Sequence, residues 1–313
     1  MSPLLDMLSD PLMQRSLIAA AVVGLTAPIM GTYLVQRRLS LLGDGIGHVA
    51  LTGVALGWII GSAMGLVERD ALAVPGAIFA AIIGSVAIEY VREKGRTSGD
   101  VALALLFYSG IAGGVVLISI AGGTNANLMG YLFGSISTVT ELDLALTVFL
   151  GILIFLVGIG LRAVLFAVSN DEEFARASGL PVRAANLTIA IVAALTVTVS
   201  MRVVGLLLVS AVMIVPVAAA QLLATTFKRT MTIAMGIGVI VSISGLTITY
   251  WYPLSPGATI VLLAVAAYIV ALLIHTLLGR RRITARDPHP DLPDDVDLVA
   301  AGTQTTRSDQ CKE

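Results

Sequence analysis

Asp44 and His48 stand four residues apart in the run QRRLSLLGDGIGHVALTGVALGWIIGSAMG, residues 36–65. On a helix that spacing puts both side chains on one face, one turn apart. A carboxylate beside an imidazole can begin a shell for a divalent transition metal. Imidazole suits zinc and iron, and the carboxylate also admits manganese. An ionisable pair at the head of an apolar stretch is costly unless it faces a polar cavity or a partner. The same spacing equally fits a structural role, with Asp44 capping the helix N-terminus and His48 bonding a backbone carbonyl. Spacing alone leaves both readings open.

Three further patterns stand out. Gly53, Gly57, Gly61 and Gly65 recur every four residues, a stripe along which another helix or subunit can approach closely. The segment NDEEFARASGLPV, residues 170–182, is short and charged between apolar runs. Asp171, Glu172 and Glu173 suit the positive end of a helix, and Phe174, Ala175 and Arg176 continue it. Gly179 and Pro181 then stop it. One short helix outside the bilayer is expected, either a solvated loop element or a docking element for a cytoplasmic partner. Pro216, inside VVGLLLVSAVMIVPVAAAQLLA, removes one helical hydrogen bond and favours a kink, packed or gating. Glu89, Asp100, Glu141 and Asp143 read as interfacial residues at the ends of apolar runs. His275 suits a helix C-terminus, and His289 falls in the C-terminal tail.

The elements that must position these residues follow from composition. Hydrophobic residues make up 57% of the 313-residue chain and charged residues only 12%, about half the share in soluble domains. Too little polar surface remains to clothe a soluble domain of this size. A soluble enzyme and a nucleic-acid binder are therefore excluded, the latter because there is no extended basic patch. Apolar runs near 14–34, 49–66, 71–91, 101–121, 142–163, 185–200, 203–224, 230–250 and 257–278 approach the ~20 residues of a membrane span. The expected fold is all-α, a polytopic transmembrane helical bundle of about nine spans, with eight possible. Residues 127–139 add a short re-entrant or broken helix.

With nine crossings and the N-terminus outside, the inner side receives Arg37, Arg38, Arg92, Lys94, Arg96, Arg162, Arg176, Arg183, Lys228, Arg229 and Arg280 to Arg282. The outer side receives Arg15, Arg69 and Arg202, an asymmetry that obeys the positive-inside rule. The first apolar stretch lacks a basic leader and is expected to remain as a span. Residues 1–279 are expected to form the transmembrane domain. The polar, proline-bearing residues 280–313, with the single cysteine Cys311, are expected to form a disordered cytoplasmic tail. The chain carries no G-x-x-x-x-G-K-[ST] loop, no H-E-x-x-H and no G-x-S-x-G. These motifs would mark a P-loop ATPase, a zinc protease and a serine hydrolase.

Taken together, these segments resemble the permease subunits of ABC importers for zinc, manganese and iron. The resemblance is carried in order by the Arg-Arg-x-Ser-x-x-Gly-Asp-x-x-x-His-x-x-Leu-x-Gly-Val-Ala-x-Gly run at 37–57 and by DVALALLFYSGIAGGVVLIS at 100–119. LMGYLFGSI at 128–136, Glu-Phe-Ala-x-x-x-Gly at 173–179 and VGLLLVSAVMIVPVAAA at 204–220 continue it. At Gly99-Asp100 the chain departs from the acidic pair that such permeases often carry. The resemblance implies a second permease copy, two cytoplasmic ATPase subunits and an extracytoplasmic metal-binding protein. It implies that Asp44 and His48 meet the transported ion, with no permanently bound cofactor, and that 171–182 is the coupling helix against the ATPase. The expected location is a prokaryotic cytoplasmic (inner) membrane, N-terminus outside and C-terminus cytoplasmic. Two alternatives stand beside this: an ABC permease for a metal chelate or vitamin, and a proton-driven secondary transporter. The second would need buried carboxylates at several span centres, where this chain has almost none.

Overall fold

The structure is a computed structural model that describes residues 7–65, 69–94, 99–122, 125–134, 140–201 and 203–283. Arg96, Arg202 and the tail beyond Ile283, on which expectations were placed, lie outside the described residues. The chain divides into Met1–Leu272, which holds the bundle, and Leu273–Glu313.

All regular structure among the described residues is helical. Asp10 caps the first long helix, α1 (Pro11–Gln36), by accepting a 2.9 Å bond from the Leu12 N–H, and Pro11 occupies the first turn, where its missing N–H is harmless. Residues 37–41 then form an elbow into α2 (Leu42–Ala63). Arg38 takes a left-handed backbone there (φ 58°), and the Leu39 N–H reaches back to the Leu34 carbonyl at 2.8 Å. A short 3-10 turn (Arg69–Leu72) leads to α3 (Ala73–Glu93), followed by α4 (Gly99–Ile120) and α5 (Asn125–Phe133). A reciprocal capping box of Thr140 and Asp143 opens α6 (Glu141–Gly160). The chain continues through α7 (Arg162–Asn170), α8 (Glu172–Ala177), α9 (Val182–Ser200), α10 (Val209–Leu223), α11 (Phe227–Trp251) and α12 (Pro256–Ile283).

Eight of these helices, α1, α2, α3, α4, α6, α9, α11 and α12, are long and apolar enough to cross a membrane. The ninth expected run, 203–224, is α-helical only over 15 of its residues, Val209–Leu223. Its first part breaks because Gly205, with φ 87°, packs backbone to backbone on Gly134, with φ 76°. A Cβ on Gly205 would stand 2.4 Å from the Gly134 nitrogen, so both positions require glycine. The Leu206 and Leu207 N–H groups bond the Tyr131 and Leu132 carbonyls at 2.9 and 3.2 Å. Irregular backbone among apolar helices survives only when protein satisfies it, and α5 with residues 203–208 does so mutually. The short helix expected within 127–139 is thus α5; residues 135–139 lie outside the description.

α2 lies between α3 and α4, and α1 packs along α11, α10 and α6. Small residues make these approaches close. A Cβ on Gly53 would stand 2.3 Å from the Gly76 carbonyl oxygen, and one on Gly57 2.1 Å from that of Leu72. Gly61 is also buried. Gly65 differs from the expected stripe: it lies past the end of α2 and faces open space. The four-residue period continues in sequence beyond the helix that gives it meaning. Large apolar side chains such as Phe79, Phe149, Leu156 and Leu262 point outward, as a lipid surround requires.

Candidate functional site

Asp44 occupies the first turn of α2, where the helix dipole favours a carboxylate. It does not cap the helix: Leu41 holds the cap position, without a side-chain bond. The Asp44 carboxylate instead accepts a short hydrogen bond from Ser210 Oγ, at the start of α10. It also lines a cavity of about 350 Å³ with Leu41, Leu103, Ala104, Phe107 and Tyr108. One turn further, His48 is buried, with the Phe107 ring edge-on at 4.5 Å between centroids. Its Nδ1 is buried and has no hydrogen-bond partner. A buried imidazole nitrogen with a free lone pair or proton is an exception among native side chains. It is a donor position that a metal could use.

The backbone explains how α4 comes so near. A Cβ on Gly110 would stand 2.7 Å from the His48 carbonyl carbon and the Val49 nitrogen, so α4 rests on the main chain of α2 at His48. Thr52 Oγ1 fixes the contact by donating to the Gly110 carbonyl at 2.9 Å. The outer face of α4, with Val101, Leu105, Tyr108, Val116 and Ile120, is exposed and apolar. Among the described residues no group of three or more His, Cys, Asp or Glu side chains gathers as a metal cage.

The second predicted segment forms the expected short helix. The Asp171 side chain caps α8 by accepting from the Phe174 N–H at 2.9 Å. Glu172 pairs with Arg176 at 3.0 Å. Ala175 is the inward residue, whereas Phe174 is 68% exposed. Glu173 lies in the first turn, and the Gly179 N–H closes the end on the Arg176 carbonyl at 3.1 Å. Below α8 lies a charged recess of about 150 Å³ bordered by Glu89, Arg92, Glu93, Glu172 and Arg183. Arg183 pairs with Glu93, and Gln36 Nε2 donates to Asn170 Oδ1 at 2.8 Å. The guanidinium of Arg37 enters this region almost fully buried, 3.8 Å from Glu89 and 4.0 Å from Glu172. Burial lowers its pKa; Glu89 opposes that, Arg92 adds to it and Glu172 opposes it. The elbow, the end of α3 and α8 therefore meet at one end of the bundle, while Arg15 and Glu141 pair elsewhere at 2.5 Å.

Pro216 sits buried inside α10, six residues after Ser210. Sequence reasoning missed Ser210, Phe107 and Gly110 at the Asp44–His48 site. The GIAGG run at 110–114 signalled close packing; nothing in the sequence links Ser210 to Asp44, 166 positions away.

Eight helices long and apolar enough to cross a membrane define a polytopic helical membrane protein. The chain belongs to the ABC 3 transport family, whose model matches residues 9–275. It is 31% identical over 266 residues to the manganese transport system membrane protein MntC of Halalkalibacterium halodurans, covering 85% of this chain and 88% of that one. It is 32% identical over 262 residues to the manganese import system permease protein ScaB of Streptococcus gordonii, covering 84% and 91%. Among solved structures, PsaBC of Streptococcus pneumoniae in complex with Fab superposes with a TM-score of 0.75 at 30% identity, covering 85% of this chain and 93% of that one.

Proposed function

We propose that this chain is the membrane-spanning subunit of an ATP-driven importer of divalent transition metal ions, and that Asp44 and His48 receive the ion in transit. The single observation that carries the site is the pairing of a cavity-lining carboxylate with a buried, unpartnered imidazole nitrogen one helical turn away. The names of its relatives favour manganese within the zinc, manganese and iron range. Two protein donors leave most of a metal's coordination positions to water or to a second copy across the apolar face of α4. Such incompleteness suits an ion that must be released. The chain itself makes and breaks no bonds in this reading. ATP is hydrolysed on two cytoplasmic subunits, against which Phe174 and the rest of α8 dock, and an extracytoplasmic protein delivers the ion. The gathering of Arg37, Arg92 and Arg183 at the α8 end fits a cytoplasmic side there, with the N-terminus outside.

The test is uptake of labelled Mn²⁺, Zn²⁺ and Fe²⁺ by the complete complex in liposomes. Asp44→Ala and His48→Ala are expected to insert and assemble normally yet lose uptake by more than the about tenfold that losing a group hydrogen-bonded behind a metal ligand already costs. Wild-type uptake by both variants would reject the site.

A further inference from the structure

The elbow between α1 and α2 holds a buried cation that lies outside the ion site and reaches toward the docking helix. Arg37, the residue that ends α1, carries its guanidinium into the protein with its side chain 6% exposed. Its Nη2 stands 3.8 Å from Glu89 Oε1 at the end of α3 and 4.0 Å from Glu172 Oε2 in the first turn of α8. Neither distance is a hydrogen bond, and Nη2 has no other partner. Each carboxylate has a second cation of its own: Arg92 on Glu89 at 2.9 Å and Arg176 on Glu172 at 3.0 Å. A buried guanidinium suspended between two carboxylates, bonded to neither, has two nearby places to settle. About 1 Å of movement closes either contact to the length of a charge-assisted hydrogen bond.

The elbow's connections give that choice a consequence. Only residues 37–41 separate α1 from α2, and Asp44 follows in the first turn of α2. Within the elbow, Arg38 holds a left-handed backbone that a non-glycine residue adopts only when its surroundings impose it. The Gln36–Asn170 bond fastens the other side of the elbow to the chain just before α8. Arg37 and the Gln36–Asn170 bond thus link the α7–α8 end of the bundle to the elbow, and the elbow leads directly into the turn that carries Asp44.

We propose that Arg37 is a positioning residue that conveys movement of α8 to Asp44, by exchanging its closer partner between Glu172 and Glu89. Coupling between separated sites has a physical basis when one element has two discrete arrangements that both sites bias. Arg37 between two carboxylates is such an element. The inference rests on the reading that α8 docks the ATPase and that Asp44 meets the ion.

The experiment uses the full complex in liposomes, with Mn²⁺ as probe. It records ions imported per ATP hydrolysed, together with co-purification of the ATPase. Arg37→Gln keeps the side-chain length and removes the charge. It is expected to retain the ATPase and its basal hydrolysis while ions imported per ATP fall at least about tenfold, within the usual range of coupling energies. Arg37→Lys, which restores a point charge where no bidentate geometry exists to be lost, should recover most of the ratio. Glu172→Gln should lower the ratio as Arg37→Gln does, and the double variant should be no worse than either single one, as expected of partners acting through one contact. A ratio unchanged in Arg37→Gln, or additive losses in the double variant, overturns the inference. So does loss of the ATPase from Arg37→Gln, which would make the residue a structural strut. Phe174→Asp separates the underlying reading: if it still retains the ATPase, the docking of α8 fails and the inference fails with it. If Phe174→Asp releases the ATPase while Arg37→Gln imports normally, docking stands and only the role of Arg37 falls.

Discussion

Replacing Gly110 by alanine tests how α4 supports the His48 turn. The added methyl would meet the main chain of α2 at 2.7 Å, on the His48 carbonyl carbon and the Val49 nitrogen. Both are backbone atoms in mid-helix and have no rotamer to change. Ordinary contact begins near 3.4 Å, so α4 must withdraw by the difference, 0.7 Å. Withdrawal stretches the 2.9 Å Thr52–Gly110 bond and lifts Phe107 from the His48 ring. Overfilling a packed contact in this way costs about 1–3 kcal/mol. A glycine-to-alanine change inside a helix also gains up to about 1 kcal/mol of backbone propensity, which would blur the reading of one variant alone. Gly236 in α11 is the matched control: it too is helical, and a Cβ there meets nothing within 4 Å. The propensity gain cancels between the two variants, leaving the steric term. Gly110→Ala should melt at least about 2 °C below Gly236→Ala in detergent, and its Mn²⁺ uptake should fall while that of Gly236→Ala persists. Equal melting temperatures would show that α4 yields freely and that the close approach does not hold the site.

The remaining predictions concern single side chains. Ser210→Ala frees the Asp44 carboxylate from its hydroxyl donor. Because a bond to a charged group is worth about 1.5–3 kcal/mol, Mn²⁺ should bind about tenfold more tightly and be imported more slowly, as measured by titration calorimetry and uptake; weaker binding would mean that Ser210 itself ligates the ion. Asp171→Ala removes the cap of α8 at a cost of about 1 kcal/mol. Amide exchange at Phe174 and Ala175 should accelerate and ATPase retention should weaken, and unaltered exchange would show that tertiary contacts alone hold the helix.

Much of this architecture was legible because the bilayer imposes length and apolarity together. The eight long helices appear where apolar runs were read, and α8 appears where Asp171 to Gly179 carry an N-terminal acid cluster and a glycine stop. The period of four that placed Asp44 with His48 also placed Gly53 with Gly57. It overran at Gly65 because sequence periodicity does not register that the helix has ended at Ala63. The break before α10 was hidden for a related reason. VVGLLLV is as apolar as any span, and its conformation is set by backbone pairing with α5, not by its own composition. Ser210 was invisible as a site residue because one hydroxyl in an apolar run gains meaning only from Asp44 across the bundle. Arg37 was read as a marker of sidedness, although its guanidinium is buried.

The seam between Gly134 and Gly205 has a consequence for how the protein is made. The Tyr131 and Leu132 carbonyls end α5 and find their donors, Leu206 and Leu207, 75 positions later in the chain. Each backbone group left unpaired in hydrocarbon costs several kcal/mol. During synthesis α5 therefore has no stable resting place in lipid until α6 to α9 have been laid down and residues 203–208 arrive. That last turn of α5 needs a wet or protein-lined setting in the meantime, and its two carbonyls are sealed from the membrane only when residues 206 and 207 arrive.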